Sequence, residues 1–184
     1  YLARICPEKG LHQLCEALRI LHARGRKCRL KVAGYLGDSD RSYFEEVKKS
    51  LRDKGLLDLV EFLGEVDRAG KFRMLRSIDA FSVPTTYREA KGLYVLEAMS
   101  QAVPVVQPDH GSFPELIAAT GGGILFKPGD AAALADAIGV LMDNPGRRAD
   151  LGRSGCETVR SRFTDEMMAD EAWAMFEEVV REAT

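Results

Sequence analysis

The feature that most constrains the fold is an alternation of short β-rich runs with longer amphipathic stretches from residue 1 to residue 142. This alternation is typical of βα units, in which successive strands add in parallel to one sheet. Predicted strands cover residues 1–4, 28–34, 59–63, 79–83, 104–107 and 123–126. Predicted helices cover residues 9–24, 41–54, 67–77, 92–101, 113–119 and 131–142, and two more follow Pro145 at 146–162 and 165–183.

Residues at the helix ends support these assignments. Gly25 and Gly55 follow the first two helices, where glycine readily ends a helix, and Asp130 is an expected N-cap of the sixth. We therefore expect an α/β fold, a Rossmann-like, doubly wound parallel sheet of about six strands with helices on both faces and extra C-terminal helices. Residues 1–184 are enough for one such domain and are predicted to form a single one.

The balance of charge limits the classes of partner. The chain has 26 Lys and Arg residues against 28 Asp and Glu residues, a formal net charge of −2, which disfavours nucleic acid as a partner. Any recognition of phosphate must therefore be local. No apolar run approaches the roughly 18 residues of a membrane span, and no signal-peptide pattern opens the chain. The four cysteines form no C-x-x-C pair, so we expect a cytoplasmic protein with reduced thiols.

The beginning of the chain is also informative. It starts at Tyr1, without methionine, inside a predicted strand, so we expect an excerpt of a longer protein. In a doubly wound sheet, ligands bind outside the carboxyl ends of the strands. The loops that follow residues 4, 34, 63, 83 and 107 are therefore the candidate binding loops.

One of these loops, with the sequence T-T-Y-R-E-A-K-G-L-Y-V-L-E-A-M at residues 85–99, leads from a strand into a helix. Gly92 allows close approach of the backbone to a ligand. The free amides of Lys91, Gly92 and Leu93 at the helix start form an expected anion site, suited to a phosphate. Glu97 lies among apolar residues of this helix, and an unpaired buried carboxylate is costly. Its partner is either a nearby Arg or Lys or a ligand, and the helix alone does not decide between them.

A second loop, residues 4–10, has the sequence R-I-C-P-E-K-G. Pro7 suits the turn into the first helix, and Arg4 and Lys9 are expected at the same sheet edge as Gly92. Each charge-assisted bond to a phosphate contributes roughly 1.5–3 kcal/mol. The two cations together are therefore expected to hold a diphosphate without a metal.

With these motifs in order, the sequence resembles the family 4, or group 1, retaining glycosyltransferases of GT-B fold over essentially its whole length. Residues 4–10 resemble the family's G-R-x-x-x-E-K-G turn, and Glu89 and Glu97 its E-x7-E motif, which E-A-M follows. Three further segments match the family in the same order: residues 104–106, residues 111–117 (G-S-F-P-E-L-I) and residues 126–130 (F-K-P-G-D).

The resemblance implies a role for each matched residue. It implies that Arg4 and Lys9 clamp the donor diphosphate and stabilise the leaving group, with Glu89 against the donor sugar as a third catalytic residue. It implies that Glu97 accepts hydrogen bonds from the ribose. The amides of Lys91, Gly92 and Leu93 would reach the sugar or phosphate, and the loop Gly64-Glu65-Val66 would hold the base. No metal site and no cofactor other than the nucleotide-sugar donor, such as a UDP-, GDP- or ADP-sugar, is implied.

The sequence departs from the family at three positions. Ala3 and Ser112 stand where the family has glycine. Lys91 stands where it usually has Phe, which leaves the contacts on the sugar side open. The resemblance also implies that the acceptor-binding N-terminal domain is the partner of this chain and lies outside it. In this family the last helix, whose apolar stripe includes Met168 and Met175, commonly crosses to that domain. The sequence does not show whether the intact enzyme associates with a membrane.

Alternative functions remain open at this level. A sugar-phosphate synthase or a nucleotide-sugar epimerase of GT-B fold shares the donor residues, and a non-catalytic nucleotide-binding module is a third possibility. A dinucleotide site requires G-x-G-x-x-G after the first strand, which residues 4–10 do not provide. Asp38-Ser39-Asp40 is interpreted as a turn and N-cap rather than as a metal motif. His110 lies at the ligand edge, where contact with donor or acceptor and simple solvation both remain open.

Overall fold

A computed structural model describes residues 1–182. Its strands are β1 (Leu30–Ala33), β2 (Val60–Gly64), β3 (Val105–Pro108) and β4 (Gly123–Phe126). Its helices are α1 (Leu11–Ala23), α2 (Arg41–Asp53), α3 (Arg68–Leu75), α4 (Leu93–Ser100), α5 (Phe113–Thr120), α6 (Ala131–Asp143), α7 (Pro145–Arg162) and α8 (Asp165–Glu182). All eight predicted helices are confirmed, although the expected end of the last one at residue 183 lies outside the described residues.

The strands pair in parallel, β1 with β2 and β3 with β4. The expected count of six strands is not confirmed. The segments predicted as strands at 1–4 and 79–83 contribute one bridge each, from Leu2 to Ala33 and from Phe81 to Val105. The Rossmann-like α/β arrangement is thus present, with four strands of regular length in the described residues and two shorter segments beside them.

Local chemistry explains why the 79–83 segment forms so little ladder. The Val83 amide donates to the side chain of Gln107 at 3.3 Å, so it does not donate to a strand carbonyl. The next residue, Pro84, has no amide hydrogen to donate. Side-chain and proline chemistry at the strand end therefore replace the regular pairing that hydrophobic pattern alone predicts.

The core lies between the strands and the helices that cover them. Helix α1 packs on α6, and α4 packs on α7. Helix α7 approaches closely because two of its buried positions are glycine: a Cβ on Gly152 would lie 2.2 Å from the Ala102 carbonyl oxygen, and one on Gly155 would lie 3.1 Å from the Gly122 Cα. The largest fully buried side chains include Phe81, Phe113, Leu11, Leu75, Met99 and Leu134. Each such side chain stabilises the fold by roughly 1.5–3 kcal/mol.

Helix α8 differs from the others because its apolar side chains are exposed. Met168, Trp173, Met175 and Phe176 are each more than half exposed. The predicted apolar stripe is therefore present, but the described part of the chain does not cover it. No helix within residues 1–182 has the length and hydropathy to cross a membrane.

The four cysteines are free, and Cys6 and Cys15 are buried. Burial raises the pKa of the Cys15 thiol to about 12, which keeps it protonated near neutral pH.

A steric contact holds the turn at residues 4–10 against the segment that leads to α4. Gly10 has a φ of 71°. A Cβ added to it would lie 1.9 Å from the Pro84 carbonyl oxygen. The Thr86 amide also donates to the Glu8 carbonyl at 2.9 Å. Only glycine permits both the left-handed conformation and this backbone approach.

Gly10→Ala is expected to lower the free energy of unfolding by about 3 kcal/mol or more, because it adds a backbone clash to the left-handed strain of roughly 1–2 kcal/mol. Gly25→Ala is the matched control. Gly25 has a φ of 74° but no atom within 4 Å of its added Cβ, so it carries the strain alone. Urea unfolding measures both variants, and equal losses would contradict the steric role of Gly10.

Candidate functional site

Lys9, Tyr87, Glu89 and Tyr94 form a hydrogen-bonded cluster, named here the Glu89 cluster. Lys9 Nζ donates to Glu89 Oε2 at 2.6 Å and to the Tyr87 hydroxyl at 2.5 Å. The hydroxyls of Tyr87 and Tyr94 donate to the same Glu89 oxygen at 2.9 and 3.0 Å. The Lys9 ammonium also lies 5.0 and 5.1 Å from the centres of the two tyrosine rings. The structure thus brings together two predicted site residues, Lys9 and Glu89, that lie 80 positions apart in the sequence.

The cluster is partly buried, with 17% of the Lys9 side chain and 14% of the Glu89 side chain exposed. Burial alone would raise the pKa of Glu89. The hydrogen bonds from Lys9, Tyr87 and Tyr94 and the charge of Lys9 outweigh burial and lower this pKa from 4.5 to about 2. Burial alone would lower the pKa of Lys9, but its bonds to Glu89 and Tyr87 raise it above 10.5. Both groups are therefore charged near neutral pH.

Tyr87 and Tyr94 were not among the site residues expected from the sequence. Tyr87 lies two residues before Glu89 in the chain, and Tyr94 lies five residues after it. A glutamate flanked by two tyrosines in one motif is a signal that the sequence contains. Its meaning depends on which side chains turn inward, and the sequence does not specify that.

Helix α4 begins next to the Glu89 cluster. Gly92 is its N-cap with a φ of 64°, and no described side chain caps the helix, so the start of α4 keeps unpaired amide donors. The close approach of the Gly92 backbone to a ligand stays a prediction. The missing Cβ of Gly92 faces protein, because an added Cβ would lie 3.1 Å from the Phe113 ring and 3.4 Å from Leu116. Leu93 is exposed and Lys91 is exposed beside it.

Glu97 has a partner within the protein, Lys71 of α3, to which it is hydrogen-bonded and ion-paired. The expectation that this carboxylate is deeply buried is wrong. Helix α4 buries Val95, Ala98 and Met99, whereas one third of the Glu97 side chain is exposed, because position 97 lies at the edge of the buried face. Lys71 was not expected from the sequence. The ion pair accounts for the charge of Glu97 without a ligand and leaves its exposed side accessible.

Arg4 stands apart from the Glu89 cluster in its contacts. It is 56% exposed, and its side chain is ion-paired with Asp40 at 3.7 Å. Asp38-Ser39-Asp40 forms a short 3-10 turn before α2, as predicted, but Asp40 makes no capping hydrogen bond. Asp40 lacks the expected capping role because its carboxylate faces Arg4 instead of the helix amides.

The loop at Gly64, Glu65 and Val66 follows β2. Val66 is half-buried against the core, and Asp67 caps α3 by accepting from the Gly70 amide at 2.7 Å. This cap starts the helix that carries Lys71 to Glu97. The loop at residues 64–66, predicted to hold a nucleotide base, is thereby connected through α3 to Glu97, which is predicted to bind the ribose.

The loop after β3 contacts the backbone of the segment that carries Glu89. The Ser112 amide donates to the Glu89 carbonyl at 2.8 Å. Gly111 has a φ of 61°, and a Cβ added to it would lie 2.5 Å from the same oxygen, so the two backbones are in close contact. The His110 ring contacts the Thr85 carbonyl through Nε2 at 3.0 Å. Its other nitrogen is buried and has no partner among the described residues. His110 therefore joins two loops of the site, and these contacts favour a supporting role.

A cavity of about 480 Å³ lies elsewhere. Tyr1, Leu30, Lys31, Ser77 and Ala80 are part of its lining, which places it towards the amino ends of the strands. Ligands of doubly wound sheets bind at the opposite, carboxyl edge. We therefore assign the candidate site to the Glu89 cluster and the start of α4, where Lys9 and Glu89 converge.

Comparison with known proteins yields one family. The family model of the group 1 glycosyl transferases matches residues 1–158. The chain is 33% identical over 175 residues to a phosphatidyl-myo-inositol mannosyltransferase of Mycobacterium leprae, an alignment that covers 94% of this chain and 44% of that protein.

Solved structures show the same fold. Anabaena Alr3699/HepE in complex with UDP matches 96% of this chain and 48% of its own, with a TM-score of 0.86 and 22% identity. Its complex with UDP-glucose has the same coverage and identity, with a TM-score of 0.83. Sucrose-phosphate synthase of Thermosynechococcus elongatus matches 98% of this chain and 45% of its own, with a TM-score of 0.85 and 24% identity. The chain thus has the Rossmann-like fold of one GT-B domain and spans less than half the length of these proteins.

The pKa of Glu89 predicts how stability depends on pH. Because the folded-state pKa is lowered from 4.5 to about 2, the stabilisation is complete above pH 4.5 and disappears as the pH falls towards 2. At pH 7, Glu89→Gln is expected to lower the free energy of unfolding by roughly 2–3 kcal/mol relative to the natural protein. The gap to the natural protein should close between pH 4.5 and 2 in urea titrations. A gap independent of pH would contradict the role of the carboxylate charge.

Proposed function

This chain belongs to the group 1 glycosyl transferases, and on that premise we propose that it binds a nucleotide-diphosphate sugar for transfer to an acceptor with retention of the anomeric configuration. The observation that carries the proposal is the convergence of Lys9 and Glu89 beside the uncapped start of α4. A cation, a carboxylate and a set of free amides are the groups that recognise a diphosphate joined to a sugar.

The proposed binding mode assigns the diphosphate to the cations. Lys9 and Arg4 hold its oxygens, together with the free amides at the start of α4. When the bond between the anomeric carbon and the diphosphate oxygen breaks, negative charge develops on the leaving diphosphate. Fixed positive charge at that position lowers the barrier, and no metal is assigned to the step.

The proposed mode assigns the rest of the donor to the two glutamates. Glu89 is charged at neutral pH and lies beside the diphosphate site, where its carboxylate meets the sugar. Glu97 lies further along α4, paired with Lys71 of α3, and its partly exposed carboxylate meets the ribose hydroxyls. Lys91 and Leu93 flank the helix start and are exposed, which suits contact with the sugar or phosphate.

Each of the four proposed charged residues has a protein partner that the donor must displace or share. Lys9 pairs with Glu89, Arg4 with Asp40, and Glu97 with Lys71. A diphosphate carries more negative charge than one carboxylate, so it competes well for Lys9 and Arg4. The exposed Arg4 side chain is the cation that moves most easily towards it.

The acceptor site is proposed to lie in a preceding domain, because the chain spans less than half the length of its relatives. The exposed apolar side of α8 suits contact with that domain. We expect the 184-residue chain to bind donor and to transfer little sugar by itself.

A second candidate is the donor domain of a sugar-phosphate synthase. The fold similarity to a sucrose-phosphate synthase favours it, and the donor residues proposed here are compatible with either reaction. The two functions differ in the acceptor, so assays of an intact enzyme with sugar phosphates as acceptors would separate them.

Calorimetry of the chain with UDP, GDP and ADP tests donor binding. We expect at least one of them to bind, with the same affinity in EDTA, because Lys9 and the α4 amides replace a metal. Lys9→Met should weaken this binding by about tenfold or more, since one charge-assisted hydrogen bond is lost. Lys54→Met is the matched control, because Lys54 pairs with Glu16 away from the site. Absence of heat with all three nucleotides would refute the proposal.

The role of Glu97 is tested by comparing two ligands. Glu97→Ala should weaken binding of the nucleoside diphosphate by about tenfold but leave inorganic diphosphate, which has no ribose, unaffected. Its free energy of unfolding should fall by less than about 1 kcal/mol, because the Lys71–Glu97 pair is partly exposed. Lys71→Met serves as the control for loss of the ion pair. Equal weakening with both ligands would show that Glu97 acts only through structure.

A further inference from the structure

Tyr94 connects the Glu89 cluster to the hydrophobic core. Its ring lies between Phe81 and Phe113, with centroid distances of 6.1 and 6.4 Å. Both of these phenylalanines are fully buried, so the ring of Tyr94 is held on two sides. A tyrosine in this setting presents its hydroxyl at a fixed position.

The other groups of the Glu89 cluster are less constrained. Glu89 and Tyr87 lie in the irregular segment between helices α3 and α4, and the Tyr87 side chain is exposed. Lys9 has a long, flexible side chain on the neighbouring turn. Tyr94 is therefore the member of the cluster that is anchored both to a helix and to the core.

The hydrogen bonds of the cluster distinguish the two oxygens of Glu89. Lys9, Tyr87 and Tyr94 all donate to Oε2. No described residue donates to Oε1. A carboxylate held through one oxygen keeps the lone pairs of the other for a ligand.

Donor binding makes the contribution of Tyr94 more important. If Lys9 turns to the diphosphate, Glu89 loses its cation, and the hydroxyls remain as its donors. Burial raises the pKa of Tyr94, and so does the Glu89 carboxylate, so Tyr94 stays protonated and keeps donating. The anchored hydroxyl then decides where the carboxylate lies.

We propose that Tyr94 is a positioning residue that holds Glu89 through Oε2 and thereby presents Oε1 to a hydroxyl of the donor sugar. This inference rests on the proposed function, since it assumes a nucleotide sugar at the site. It concerns recognition of the sugar and leaves the nucleotide contacts unchanged.

The test compares two affinities in the 184-residue chain, that for UDP and that for UDP-glucose, with GDP and GDP-mannose as a second pair. The ratio of the two dissociation constants isolates the contribution of the sugar. Tyr94→Phe keeps the ring between Phe81 and Phe113 and removes only the hydroxyl. It should reduce the relative affinity for the nucleotide sugar by about 3–10-fold, while the affinity for the nucleotide itself changes less than about twofold.

A pH profile separates positioning from a purely structural effect. The contribution of the sugar should fall at low pH as Glu89 becomes protonated, and Tyr94→Phe should move this fall to higher pH, because the carboxylate has lost a donor. Glu89→Gln should abolish the pH dependence. In the double variant, loss of the Tyr94 hydroxyl should have no further effect on the ratio.

Tyr43→Phe is the matched control. The Tyr43 hydroxyl is hydrogen-bonded to His12, so this variant removes a bonded hydroxyl outside the Glu89 cluster and should leave the ratio unchanged. An unchanged ratio in Tyr94→Phe, in a chain that binds both ligands, would overturn this inference alone. Absence of binding by the natural chain to all four ligands would overturn the proposed function and this inference with it.

Discussion

The contact between the turn at residues 4–10 and the segment that leads into α4 is the constraint on which the site depends. Gly10 lies against the Pro84 carbonyl in a left-handed conformation, and this approach sets the backbone of both segments. Lys9 immediately precedes Gly10, so the same contact places its ammonium at Glu89. The close contact that only glycine permits at position 10 therefore sets the Lys9–Glu89 ion pair. The loop that contains Gly111 packs on the Glu89 backbone from the other side.

The charges at the carboxyl edge of the strands are balanced before any ligand arrives. Lys9, Arg4 and Glu97 each face an opposite charge on another segment, and for the partly buried Lys9 and Glu97 this compensates the charge. An unpaired charge at such a position would be costly. In the proposed binding mode, the same pairs keep the side chains near the donor. On the proposed function, pairing with protein and binding of the donor are successive uses of the same residues, and an ion pair at Glu97 does not by itself exclude a ribose there.

Helices and strands were predictable to different degrees, for a physical reason. A helix is stabilised by hydrogen bonds within one segment, so periodicity and end residues such as Gly25 and Asp130 suffice to predict it. A strand needs a partner segment along its length. The 79–83 run has a strand's hydrophobic pattern, yet Gln107 takes the Val83 amide and leaves one bridge at Phe81. Such competition between a side chain and the ladder depends on residues 24 positions away, and no local pattern reveals it.

The sequence by itself determined the α/β class, the eight helices and the motifs that contain Lys9, Glu89 and Glu97, because these depend on local propensity and on residue type. Only the tertiary structure decided their partners. It placed Lys71 at Glu97, Asp40 at Arg4, and the hydroxyl of Tyr94 at Glu89. Ion pairs and hydrogen bonds of this kind join segments far apart in the chain, and their formation depends on distances of a few ångströms that only the packed core establishes.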